Sequence, residues 1–248
     1  YPEMTIEQIR NFRQLGSITA GHPEYGHAPG IETTTGPLGQ GLATAVGMAM
    51  GERMMNAAFG DELVNHRTWV IAGDGCLMEG VSHEAISIAG HMKLNKLVVI
   101  WDDNNNTIDG DATLSETGDI KKRFEAANWD VISCDAHDFA SITAALDAAI
   151  TKTKPVLIAA KSIIGKGAPN KQGGHSVHGS ALGPAEIAAA REALEWPYPA
   201  FEVPDDIRAN WKAVAAHGAP LRAAWEDRLK SSDKRAEFER RIARQLPK

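Results

Sequence analysis

At 248 residues, with 43% hydrophobic and 23% charged residues, the chain has an ordinary globular composition and enough length to bury a sizeable core. No apolar run is long enough to cross a bilayer and no charged-then-apolar leader opens the sequence, which predicts a soluble, cytoplasmic protein without a membrane partner. A net charge of −6 supplies no general basic field and argues against nucleic acid as a partner, so an anionic ligand must be held by local devices: backbone N–H groups, histidines or a metal.

In chain order, Thr5 with Gln8 resembles a capping box and predicts a helix through Leu15. The Gly-, Pro- and His-rich stretch GSITAGHPEYGHAPG then reads as a long shaped loop, a feature that often carries function. GQGLATAVGMAMGERMMNAAFG is helical by length and by its Ala, Met and Leu content, with Gly60 as its stop. Four short β-rich runs follow, RTWVIA, KLVVIWD, WDVISC and KPVLIAAK, separated by helical patterns at 82–92, 120–127 and 139–151. That alternation predicts an α/β fold: an open, mostly parallel sheet with helices on both faces. From Pro184 the texture becomes helical and charged: PAEIAAAREALEW, DDIRANWKAVAAH, and a last helix through WEDRLKSSDKRAEFERRIARQ. The expected division is a domain over 1–200 and a helical linker over 201–248. Cys76 and Cys134 form no C-x-x-C pair and read as buried free thiols.

Ligands of open parallel sheets bind off the carboxyl ends of the strands. Three segments are expected there: GDGCLMEG, DDNNNTIDGD and SIIGKGAPNKQGGHSVHG. In the first, Asp74 lies between two glycines, which let the backbone turn sharply and approach a ligand, while the carboxylate can hold a hard cation that bridges to a phosphate. A lone G-D-G is also a common turn. The next strand, however, ends in DDNNNTIDG, so adjacent parallel strands would bring Asn104 and neighbouring backbone carbonyls beside Asp74. Such hard oxygen donors suit magnesium or calcium. His175 and His178 are spaced as H-x-x-H, but no third ligand is spaced to complete a zinc site, and Lys166 in GKG reads as a solubilising lysine.

GDGCLMEG with DDNNNTIDG looks like the thiamine diphosphate signature in the version that resembles transketolase, and GHPEYG, TTGPLGQG and GGHSVHG match the same family in order. The resemblance spans essentially the whole chain. It implies thiamine diphosphate and Mg2+ or Ca2+ as cofactors, with Asp74, the Asn104 side chain and the Asn106 backbone carbonyl as metal ligands and the Gly75 N–H near the diphosphate. Family members often carry Ile where Asn106 stands, a difference of little consequence for a carbonyl ligand. Gly36, Pro37 and Leu38 would lie against the aminopyrimidine and Ile108 against the thiazolium, although plain core packing also explains an Ile. His22 and His178 match the active-site histidines that bond sugar hydroxyls, His178 also approaching the diphosphate. Glu79 matches a carboxylate that couples two cofactors across a homodimer interface, and a first-turn helix Glu would serve the dipole in any case.

The activity so implied is reversible transfer of a glycolaldehyde unit between sugar phosphates in the pentose phosphate pathway. Family motifs expected ahead of Tyr1 and a pyrimidine-binding domain expected after Lys248 are not in this sequence. The expectation is therefore a diphosphate-binding domain truncated at both ends, inactive alone, working as a homodimer at full length or with a separate pyrimidine-binding domain. Other readings are dihydroxyacetone synthase, deoxyxylulose phosphate synthase, or a non-catalytic cofactor-binding or assembly fragment; the GHPE and HSVHG histidines favour a hydroxylated sugar substrate over pyruvate.

Overall fold

A four-stranded, all-parallel sheet organises the computed structural model, which describes residues 1 and 3–247. Its strands are β1 (Thr68–Gly73), β2 (Leu97–Asp103), β5 (Asp130–Asp135) and β6 (Val156–Lys161), in the spatial order β1-β2-β6-β5. The chain divides into two compact units, one of residues 1–49 and 68–197 and one of residues 50–67 and 198–248.

The sheet belongs to the first unit, and strand alternation explains its burial. Val98, Val156, Ile158, Ala160 and Cys134 pack with Ala145 and Ala149 of helix α6 (Phe139–Ala149) on one face. The opposite parity, Leu97, Val99, Trp101, Leu157 and Ala159, is buried as well. A strand apolar on both faces has to be covered on both, as the continuous runs KLVVIWD and KPVLIAAK foretell. Helices α4 (Gly80–His91) and α5 (Ile120–Ala126) supply Ile86, Ala89 and the fully buried Phe124 to the core. Asp119 and Asp138 cap α5 and α6 by accepting the N–H of Lys122 and Ala140, each at 3.0 Å.

The extent of the first helix needs correction, and the segments after β1 and β2 take forms that the sequence reading left open. Helix α1 is only Ile6–Arg10: Thr5 caps it, but Gln8 turns away to accept the Ile18 N–H at 3.2 Å, and Arg13 takes a left-handed φ of 62° that ends the segment. GDGCLMEG forms a short helix α3 (Asp74–Met78) that starts on Asp74 itself, with Gly73 extended before it and Glu79 extended after it. DDNNNTIDGD likewise closes into a small antiparallel hairpin of β3 (Asn106–Thr107) and β4 (Gly110–Asp111), entered through Asn105 at φ 57°.

In the first unit, helix α2 (Gln40–Phe59) starts the long helical run and α7 (Pro184–Ala193) follows the loop after β6, with Pro184 in its first turn. The second unit takes the end of α2 together with α8 (Asp205–Ala216), α9 (Gly218–Ser231) and α10 (Arg235–Ile242). Its core is Phe59, Leu63, Val64 and Phe238, with Phe59 and Phe238 edge-to-face at 5.2 Å. The single last helix expected from the sequence is two, because Ser232 turns extended and its Oγ accepts the Lys234 N–H at 3.2 Å, a local bond that competes with helix continuation. Among the described residues no helix is long and apolar enough to cross a membrane.

Candidate functional site

Strands β1 and β2 pair in parallel with Gly73 opposite Asp102, so the residues that follow each strand leave the same edge of the sheet. Asp74 and Asn104 therefore meet. The Asn106 N–H donates to Asp74 Oδ2 at 3.1 Å and to Asn104 Oδ1 at 2.9 Å, drawing an acid from one strand end and an amide oxygen from the next toward a single nitrogen.

The other oxygen of Asp74 is also held: Trp101 Nε1 donates to Oδ1 at 3.0 Å. Asp74 is 7% exposed, and burial pushes its carboxyl above the ordinary value, offset in part by the Asn106 and Trp101 hydrogen bonds. A buried acid in that condition favours a cation beside it. Asn104 is fixed at its other end, since its Nδ2 donates to Asp102 Oδ2 at 3.0 Å, and Asp102 Oδ1 in turn accepts from Ser162 Oγ at the end of β6. Asn106 itself is 5% exposed, and its side-chain Oδ1 is buried without a hydrogen-bond partner among the described residues. An orphaned buried acceptor, on a residue whose N–H bonds a buried carboxylate, fits a site that is completed by a polar ligand or cation.

Glycines shape the surroundings of α3. A Cβ on Gly75 would come within 3.2 Å of Leu38 Cδ1, and one on Gly39 within 2.9 Å of Glu79 Cβ, so the TGPLG loop leans directly on the G-D-G helix. At Gly36, φ is 121° and a Cβ would fall 2.5 Å from His22 Cγ; the loop passes against the His22 ring only because that side chain is missing. Gly36 and Pro37 line a cleft of about 470 Å³ together with Thr35, Trp69, Ile71 and Cys76.

His22 and His178 are exposed, on two loops that Arg13 approaches: its Nη1 donates to Gly179 O at 3.5 Å, and Gly21 lies close enough that a Cβ there would be 3.0 Å from Arg13 Nε. The His178 loop is pinned from α7, where buried Glu186 accepts the N–H and Nδ2 of Asn170 at 2.9 and 3.0 Å. Ile108 stands at the hairpin tip and is 68% exposed, which removes core packing as its explanation. Glu79 is exposed at the N-cap position of α4 without a side-chain capping bond, not in a helical first turn.

Trp101, Asp102, Ser162 and Glu186 are the polar partners that sequence reasoning did not single out. Their only advance signal is position, the first two at the end of a strand and Ser162 at the start of a loop, because what each one touches depends on register.

A parallel sheet with converging oxygen donors and a glycine-lined loop at its carboxyl edge defines an α/β domain of the kind that takes its ligand off the strand ends. Over residues 1–247 the chain matches the family model described as transketolase, thiamine diphosphate binding domain, and it belongs to that family. It is 61% identical over 239 residues to a transketolase of Cereibacter sphaeroides, the match covering 96% of this chain and 36% of that protein. Among solved structures, the transketolase of Leishmania mexicana superposes with a TM-score of 0.94 at 39% identity, over 98% of this chain and 38% of that one. A Pichia stipitis transketolase in complex with sedoheptulose-7-phosphate gives a TM-score of 0.92 at 38% identity, with the same coverage. The chain thus spans little more than a third of the length of these relatives.

Proposed function

We propose that the protein to which this chain belongs is a transketolase, reversibly transferring a glycolaldehyde unit from a ketose phosphate to an aldose phosphate, with this chain furnishing the diphosphate and metal half of the site. The observation that carries the reading is the convergence of Asp74 Oδ2 and Asn104 Oδ1 on one N–H at the sheet edge, in a chain of this family. The full reading is a cytoplasmic homodimer of the pentose phosphate pathway, acting on sugar phosphates.

Bound thiamine diphosphate supplies the chemistry of cleaving a ketose and carrying its two-carbon fragment. The residues of this chain bind, orient and move protons. Asp74, Asn104 and the backbone carbonyl of Asn106 would hold Mg2+ or Ca2+, whose hard-oxygen preference matches a carboxylate, a carboxamide oxygen and a carbonyl. The Gly75 N–H, near the start of α3, would face the diphosphate, where an N-terminal N–H favours negative charge. Gly36, Pro37 and Leu38 would lie along the aminopyrimidine, and the exposed Ile108 would give the thiazolium an apolar surface. His22 and His178, whose imidazole nitrogens can each donate or accept a hydrogen bond, would exchange protons with sugar hydroxyls. Glu79, exposed at the α3–α4 junction, would meet the second copy.

The test is an assay of the full-length protein on xylulose 5-phosphate and ribose 5-phosphate, with thiamine diphosphate and Mg2+. Sedoheptulose 7-phosphate should form, and His22→Ala or His178→Ala should each lower kcat by about 10²-fold while cofactor binding persists. Absence of product from a folded, cofactor-loaded protein would refute the reading.

A further inference from the structure

An asparagine is an ambiguous cation ligand. Its carboxamide offers an oxygen at one end and two N–H donors at the other, and a half-turn about χ2 exchanges them, replacing attraction for a cation with repulsion. At Asn104 both ends of the amide are committed, and they agree. Oδ1 accepts the Asn106 N–H at 2.9 Å, which the NH2 group cannot do; Nδ2 donates to Asp102 Oδ2 at 3.0 Å, which the oxygen cannot do. Flipping the amide would set donor against donor and oxygen against carboxylate at the same time.

Asp102 is itself held. It lies in β2 between Gly73 of β1 and Ala160 of β6, and its remaining oxygen accepts from Ser162 Oγ just past the end of β6. The carboxylate therefore has one oxygen for Ser162 and one for Asn104, and three neighbouring strands fix its place.

We propose that Asp102, anchored by Ser162, is a positioning residue of the cation site: it locks the Asn104 amide with Oδ1 turned toward Asp74. The proposal rests on the reading of Asp74 and Asn104 as ligands, and deepens it by naming what makes the second ligand an unambiguous oxygen donor. Asp102 touches neither cation nor substrate in this role. Partners of this kind commonly contribute about 10–100-fold in metal affinity.

The experiment is calorimetric titration of Mg2+ into the full-length protein at saturating thiamine diphosphate, with circular dichroism to verify folding. Asp102→Ala should weaken the apparent Mg2+ affinity about 10–100-fold. Asp102→Asn should restore it to within about 3-fold of wild type, because the new carboxamide can turn its oxygen to Asn104 Nδ2 and its NH2 to the Ser162 hydroxyl. Ser162→Ala, which keeps the carboxylate but frees it, should fall between the two. An Asp102→Ala affinity equal to wild type would overturn the proposal. So would an Asp102→Asn as weak as Asp102→Ala, since charge and not amide orientation would then be the cause. If Asp102→Ala does not fold, an unchanged affinity in Ser162→Ala overturns it instead. Asp74→Asn is the separate control: undiminished binding there would sink the ligand assignment itself, whatever the Asp102 variants do.

Discussion

The indole Nε1–H of Trp101 donates to Asp74 Oδ1 at 3.0 Å, inside a core where Trp101 is 7% exposed and Asp74 equally so. Trp101 is the strand residue paired in register with Ala72, two positions before Asp74, so a rigid ring from β2 reaches across the end of β1 and sets the carboxylate's rotation. Together with the Asn106 N–H on the opposite oxygen, the indole leaves Asp74 one orientation.

Replacing that indole should therefore be felt at the cation. Trp101→Phe keeps most of the ring volume and removes the donor; a hydrogen bond to a charged group is worth about 1.5–3 kcal/mol. The expected result is Mg2+ affinity lowered about 10-fold or more with the fold retained. Trp101 emission should also change on loading with Mg2+ and thiamine diphosphate, a signal absent from Trp101→Phe and retained in Trp129→Phe. Equal affinities and identical difference spectra would show that the bond is incidental.

The second unit has its own acid dependence. Glu237 accepts from Arg240 through both carboxylate oxygens, at 2.7 Å each, and from Arg241 Nε at 2.8 Å. Arg240 first and Arg241 second hold its carboxyl down to about 2, against an ordinary 4.5. A depressed acid stabilises the folded state above its unfolded value, and that contribution disappears as the pH falls from about 4.5 toward about 2. The helical signal of α10 should weaken over that window in the wild type, less so in Glu237→Gln, and the difference should shrink in high salt because the pair is partly exposed. Superimposable acid titrations of the two proteins would contradict it.

Gly90 is a packing constraint independent of the site. A Cβ there would sit 1.7 Å from the backbone oxygen of Ala127, and the Asn128 side chain already donates to Gly90 O at 3.2 Å. Backbone cannot yield as a flexible side chain does, so Gly90→Ala should destabilise the protein by about 1–3 kcal/mol. Denaturant melts of the two proteins measure this; a loss near zero would mean that α4 slides freely against the Ala127 turn.

The meeting of Asp74 and Asn104 at one sheet edge is legible in the sequence. The pairing of Asp74 with Asn104 follows from two apolar runs adjacent in a parallel sheet, and the runs RTWVIA and KLVVIWD declare themselves by composition. What could not be read is whatever depends on register and rotamer. Asp102 looks like one of two interchangeable aspartates in DDNNN, yet Asp102 holds Asn104 whereas Asp103 pairs with Lys161 at 3.1 Å. Trp101 looks like a core residue, and it is one, but its polar tip is spent on Asp74. The helix of Asp74–Met78 was hidden by its glycines, which argue for a turn locally, while the carboxylate near its start and the packing against β1 and β2 favour a helix. Ser232 broke a continuous charged helix by a backbone bond too local for periodicity to register.

In the function proposed for this chain, one divalent cation sits between Asp74 and Asn104 and carries the diphosphate. In crystals of the full-length protein grown with thiamine diphosphate and Mn2+ in place of Mg2+, anomalous scattering locates that ion without reference to any assumed ligand. A single strong peak is expected about 2.0–2.3 Å from an Asp74 carboxylate oxygen, from Asn104 Oδ1 and from the Asn106 carbonyl, with diphosphate oxygens completing the shell. A fully bound diphosphate whose ion lies elsewhere, or that has none, would contradict it.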